Sequence, residues 1–273
     1  MKRMRILGLA LVAVFALAAI TAGAAMAEKP TWKVCVKAEP KNTGEYENKE
    51  CTTSTPGVGK YNLVAGIGKA KPFKGKGGKA VLHNVIPEKG DIKVECESFK
   101  DAGEVVAPSG VVNVHSEFKK CKSLGFPCKT EGGKNETITT NLLAGELGWM
   151  DKAHTQAGES LTSQAAPGSG YLAEFECEGE AKVRVHGAVI GLVSPAHVVQ
   201  KESTASFAVS EYGIGQPNSL SNPPAFEEGA EPVGVLLTEL NGKETGNTWQ
   251  PEGGLVSGQE ATAINKGEKL GIS

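Results

Sequence analysis

Ile92-Lys93-Val94-Glu95-Cys96-Glu97 and Tyr171-Leu172-Ala173-Glu174-Phe175-Glu176-Cys177-Glu178 decide the fold class. In both stretches apolar and charged side chains switch at nearly every step. That period of two places alternate residues on opposite faces of a strand, one dry and one wet. The cysteine falls on the apolar face each time, where a bridge to a neighbouring strand would need it.

Working outward, the same reading predicts strands over 80–86, 111–118, 137–143, 183–193, 204–210, 233–240 and 255–264. Breaks such as Ala107-Pro108-Ser109-Gly110 and Ala166-Pro167-Gly168-Ser169-Gly170 separate them, because Pro fixes φ and Gly tolerates turn geometry. No long segment after residue 27 carries a 3.6-residue apolar period. Short strands at turn-separated intervals with 35 glycines predict an all-β antiparallel domain, a β-sandwich or a barrel. The expected layout is a signal peptide over 1–27, a main β domain over 28–212 and a Pro/Gly-rich linker or loop over 213–232. A C-terminal β-hairpin over 233–273 then packs on the main domain or hangs from it.

The first 27 residues read as an export signal. Lys2, Arg3 and Arg5 form a basic start, Ile6 to Ile20 an apolar run, and Ala25-Met26-Ala27 a small-residue cleavage site. The apolar run is shorter than the roughly 20 residues that span a bilayer. The expected product is secreted or wall-associated, not integral to the membrane. Cys35, Cys51, Cys96, Cys121, Cys128 and Cys177 all follow the signal, and an even count in an exported chain reads as three disulfides. Spacing suggests Cys35–Cys51 and Cys121–Cys128 as local loops, which leaves Cys96–Cys177. A metal site would need close C-x-x-C or H-x-x-x-H pairs, and the sequence has neither.

Setting aside Lys2, Arg3 and Arg5 leaves 26 basic against 31 acidic side chains, a balance with no nucleic-acid signature. The charge is uneven. Residues 28–80 hold 11 Lys and 5 Glu, whereas 201–273 hold 4 Lys and 10 Glu. Lys69, Lys71, Lys74, Lys76 and Lys79 form the densest basic run, where a polyanionic wall or surface polymer would dock. A solvated Gly/Lys loop is the plainer reading of that run.

The search for chemistry is short. His115 and His186 sit on polar faces of predicted strands, and could act together only if the fold joined those faces; His154 and His197 lie in loops. Asp91, Asp101 and Asp151 are too few and too scattered for calcium loops. Glu174, Glu176 and Glu178 share one strand face, which reads as solvated. There is no nucleophile elbow, and Gly75-Lys76-Gly77-Gly78-Lys79 lacks the Ser/Thr and helix of a phosphate loop. No catalytic, cofactor or metal residue is therefore assigned.

Several blocks taken together carry a resemblance. They are 92–96, Gly110 to Cys121, Leu142 to Trp149, 173–177 and Val183 to Gly191. They resemble a group of uncharacterised secreted bacterial β-rich proteins with paired cysteines, over roughly residues 60–265. The resemblance implies a shared β fold and export, with no activity or ligand attached. The functional expectation is a non-catalytic extracellular or cell-surface protein with a structural or binding role. A carrier of a small apolar ligand in a β cavity is the first alternative, suggested by the doubly apolar Ala188-Val189-Ile190-Gly191-Leu192-Val193. A hydrolase with an unrecognised site is the second.

Overall fold

Alternation at this density produces strands throughout. The computed structural model describes residues 29–86, 90–165, 170–178, 182–207, 225–227, 234, 236–241, 250–257, 260–265 and 269–273. The expected export signal and the 166–169 turn lie outside the described residues, as does most of 213–232. Among the described residues the strands begin with β1 (Trp32–Lys37), β2 (Gly44–Tyr46), β3 (Ser54–Gly59), β4 (Tyr61–Ala65) and β5 (Lys71–Gly77). They continue with β6 (Ala80–Ile86), β7 (Gly90–Cys96), β8 (Ser98–Val106), β9 (Gly110–Lys119), β10 (Lys122–Ser123) and β11 (Phe126–Lys129). Next come β12 (Thr137–Thr139), β13 (Leu143–Trp149), β14 (Ala157–Ser163), β15 (Tyr171–Cys177) and β16 (Lys182–Ser194). The last are β17 (Glu202–Ser206), β18 (Leu236–Asn241), β19 (Gln250–Ser257), β20 (Glu260–Asn265) and β21 (Gly271–Ile272).

The main body is a barrel in two tiers. One tier closes through β5, β8, β9, β13, β14, β16, β17 and β20, and every neighbouring pair is antiparallel. The other closes through β6, β7, β10, β11, β15, β16, β18 and β19. β16 is 13 residues long and belongs to both. Several other strands also run from tier to tier without losing register. The pairing of β5 with β8, from Lys71↔Val105 to Gly77↔Phe99, carries on unchanged from Ala80↔Cys96 to Ile86↔Gly90 in β6 and β7. Each tier is thus an eight-position ring, and closure leaves the barrel without an edge to aggregate through.

The inward face changes between tiers. Phe73 on β5 and Phe99 and Val105 on β8 are buried in one tier; Ala80 on β6 and Val94 and Cys96 on β7 are buried in the other. Phe73 and Ala80, like Cys96 and Phe99, stand at an odd offset along the chain, so the strands must swap faces where the tiers meet. They do so at Gly78-Lys79, Glu97 and Lys119-Lys120, where the strands break and Lys79, Glu97 and Lys120 point into solvent. Lys120 takes a left-handed φ of 54° to make the step, and its ammonium pairs with Glu97 across the break.

β12 pairs with β9 outside the ring, and the other five strands form a small sheet in the order β21-β1-β4-β2-β3. It caps the tier that contains β5. Trp32 on β1 donates from its backbone to Pro108 O and from Nε1 to Gly110 O, and it shares one core cluster with Val105, Leu147, Trp149 and Val193. Both ends of the described chain meet there, with Trp32 opposite Ile272. The strands after residue 233 also join the main body: β18 pairs with β16, β19 with β6 and β20 with β5.

The structure corrects two readings. Cys35 bonds Cys51 within the cap as expected. The other bridges are Cys96–Cys121 and Cys128–Cys177, not Cys121–Cys128 and Cys96–Cys177. Cys128 and Cys177 stand directly opposite on β11 and β15. Cys121 and Cys128 meet through a backbone hydrogen bond instead, Cys128 N–H donating to Cys121 O at 2.9 Å. Cys96 and Cys177 lie on strands separated by β10 and β11. The second correction concerns the basic run, because Lys71–Gly77 is a barrel strand and not a loop. Phe73 is its inward anchor, while Lys74 and Lys76 project outward.

Candidate functional site

The inward face leaves a void where the two tiers meet, a cavity of about 160 Å³ lined by residues of both. Its wall is overwhelmingly apolar, with Phe99, Val114, Leu143, Leu161, Val189, Phe207 and Leu236 among the lining residues. Small residues make the room. A Cβ placed at Gly103 would lie 2.8 Å from the Phe73 ring, and one at Gly191 would lie 2.7 Å from the Phe207 ring. Glycine at each position lets a phenyl ring fold flat against the strand.

Two carboxyl groups interrupt this wall. Asp101 on β8 and Glu159 on β14 both line the cavity, and their strands stand three positions apart around the eight-position ring. Asp101 faces Gly75 in register, and a Cβ there would lie 1.7 Å from Asp101 Oδ1, so the space a side chain would fill holds the carboxyl. Oδ1 is buried and has no hydrogen-bond partner. Desolvation pushes the Asp101 carboxyl up to about 6, offset in part by its own backbone N–H. Glu159 is partly buried and borders the cavity. Desolvation pushes it up to about 8, with the negative charge of Asp101 adding to the effect and no neighbouring cation or donor offsetting it. At neutral pH Glu159 is therefore a protonated donor and Asp101 largely an ionised acceptor.

Ser116 and Thr140 supply the other polar lining, but Thr140 Oγ1 already accepts the Ser116 backbone N–H at 3.0 Å. Among the described residues no further titratable side chain lines the cavity, and no group of three or more His, Cys, Asp or Glu is placed to hold a metal ion.

The structure separates the residues that the sequence singled out. His115 on β9 and His186 on β16 are not brought together, since β13 and β14 lie between their strands in the ring. His186 instead joins an outward cluster. It approaches Glu239 at 3.5 Å, and neighbouring Arg184 pairs with Glu174 and lies 4.7 Å over the Tyr171 ring. Glu176 pairs with Lys129, so the glutamate series on β15 is a wet face laced by ion pairs. His154 and His197, from separate loops, both stack on Trp149 at 5.0 and 5.5 Å, and His197 Nε2 lies 2.8 Å from His154 O. Asp151 holds that first loop: its Oδ1 accepts the Thr155 and Gln156 backbone N–H groups, and the Thr155 hydroxyl lowers its pKa.

Sequence reasoning passed over Asp101 and Glu159. Asp101 is in phase with Phe99, Gly103 and Val105, and Glu159 with Ala157, Leu161 and Ser163. A carboxylate in the apolar phase of a strand was the available signal. No family model, curated protein or solved structure matches the chain. The three bridges suit an oxidising, extracellular-type environment. Among the described residues no helix is long and apolar enough to cross a membrane.

Proposed function

We propose that this chain is an exported, non-catalytic binding protein that holds a small, mainly apolar molecule inside its barrel. The observation that carries this reading is the apolar cavity with two carboxyls in its wall, one of which buries an oxygen without a hydrogen-bond partner. A stable barrel has no need of either feature: an empty cavity forfeits packing, and a buried carboxyl without partners costs desolvation. An occupant that fills the void and meets the carboxyls removes both costs. A cavity of about 150 Å³ accommodates benzene, so the volume here fits a ligand of about six to ten heavy atoms.

Export is supported by the basic-apolar-small pattern of residues 1–27 and by the bridges. Outward positions such as Lys74, Lys76, Lys100 and Lys122 are exposed while the inward positions are apolar, the reverse of a barrel that faces lipid. A hydrolase reading is weaker. A glycosidase pair would need an aromatic-lined, polar cleft, whereas Trp32 and Trp149 are buried toward the cap and the cavity offers only two hydroxyl side chains. Docking of an anionic surface polymer on the exposed lysines of β5 rests on charge alone.

Isothermal titration of the folded protein with toluene tests the binding reading. Saturable one-to-one binding is expected, weakened at least tenfold by Ala205→Leu, which fills the cavity from its wall. No saturable heat with toluene, and none with the smaller benzene, would overturn it.

A further inference from the structure

Resting on the binding reading, we propose that the occupant is a small apolar amine, with its ammonium held between Asp101 and Glu159 and its hydrocarbon body against Phe99, Leu161 and Val189.

The polar chemistry of the cavity has one sign. Asp101 Oδ1 is buried without a partner, and Glu159 has no cation or donor near it. No described basic side chain lines the cavity to neutralise either group. A neutral hydrocarbon would fill the void and leave both carboxyls desolvated. An ammonium offers three donors and a positive charge to groups that can only accept once ionised. Buried ions are tolerated when paired and hydrogen-bonded, and a cation in the cavity meets two acidic groups in its wall and no basic one among the described lining residues. A divalent metal ion suits the site poorly. Calcium takes six to eight oxygen ligands, and the two carboxyls supply at most four in an otherwise apolar wall. An alcohol could accept from protonated Glu159 and donate to Asp101, but it would leave the charge of Asp101 uncompensated.

The positions of the carboxyls add a pH signature. Burial holds Glu159 near 8 and Asp101 near 6 in the empty cavity, with the negative charge of Asp101 adding to the rise of Glu159. Since these are the only titratable groups that face the cavity among the described residues, amine binding tightens as they ionise between about pH 5 and pH 8. Toluene binding, which involves no charge, stays flat or weakens over the same range.

Toluene, benzyl alcohol and benzylamine have nearly the same shape and separate the alternatives. Titrated at pH 8 into the full exported chain, benzylamine is expected to bind at least tenfold more tightly than toluene. The double variant Asp101→Asn with Glu159→Gln should erase that preference while still binding toluene, and its unchanged far-ultraviolet spectrum would show that it folds. Toluene binding with no advantage for benzylamine, or equal binding of the alcohol and the amine, would overturn the amine assignment and leave the cavity reading standing. Failure of all three to bind would overturn both.

Discussion

Glu159 is the residue whose behaviour departs furthest from that of its type. In the unfolded chain it titrates near the ordinary 4.5, whereas burial raises it to about 8 in the folded protein. Between these values the folded state binds the proton that the unfolded state has lost, so stability falls as pH rises. Below about pH 4 the group is protonated in both states and contributes no slope. Above about pH 8 the whole cost is in place, on the order of 3–5 kcal/mol for such a shift. Glu159→Gln removes the titration, and its melting temperature at pH 9 should exceed that of the parent by on the order of 5–10 °C, given a few degrees per kcal/mol at this chain length. At pH 4 the two should melt together. Identical pH profiles for parent and variant would mean that Glu159 is not the buried acid described. Neither carboxyl was legible as a site in the sequence, because a lone Asp or Glu among alternating residues reads as belonging to the wet face. The phase it shares with apolar neighbours, Phe99 and Val105 for Asp101 and Ala157 and Leu161 for Glu159, turns it inward.

At the scale of the element, alternation was a sufficient guide where it was clean. The predicted strand at 80–86 coincides with β6 (Ala80–Ile86), and 183–193 lies inside β16. It misled in Lys71–Gly77, where glycine replaces apolar residues on the inward face and lysine fills the outward one. Inward Gly75 answers to the Asp101 carboxyl, information that lies in another strand. The cysteine pairing failed for a related reason. Distance along the chain favoured Cys121–Cys128, but strand order decides which cysteines stand opposite. Peptide mapping without reduction should recover Cys96 linked to Cys121 and Cys128 linked to Cys177; a Cys96–Cys177 peptide would contradict the ring order. Gly145 on β13 tests the packing of neighbouring strands. A Cβ there would lie 1.6 Å from the Ser160 backbone oxygen, and backbone cannot swing aside as a side chain can. Gly145→Ala should cost about 2 kcal/mol or more by overpacking, read as a lower urea midpoint. An unchanged midpoint would show that β13 and β14 are further apart than described.

The whole molecule is a closed barrel with one covered end and a hollow middle. The all-β antiparallel class was legible from periodicity, while the closure was not, since it depends on pairings such as β5 with β20 that join distant parts of the chain. One bridge ties the end of β7 to Cys121 just before β10, a second ties β11 to β15, and the third pins the cap. Reduction should therefore lower stability by several kcal/mol, at about 2–4 for each bridge, and a melting temperature indifferent to reductant would contradict their role. The hollow middle is the central claim, and a methyl-labelled NMR titration with toluene tests it most directly. The account predicts saturable shifts concentrated on Val114, Leu143, Leu161 and Val189, whose methyl groups border the cavity, with the exposed Val58 and Leu124 unmoved. Shifts confined to exposed methyl groups, or none at saturating toluene, would contradict it.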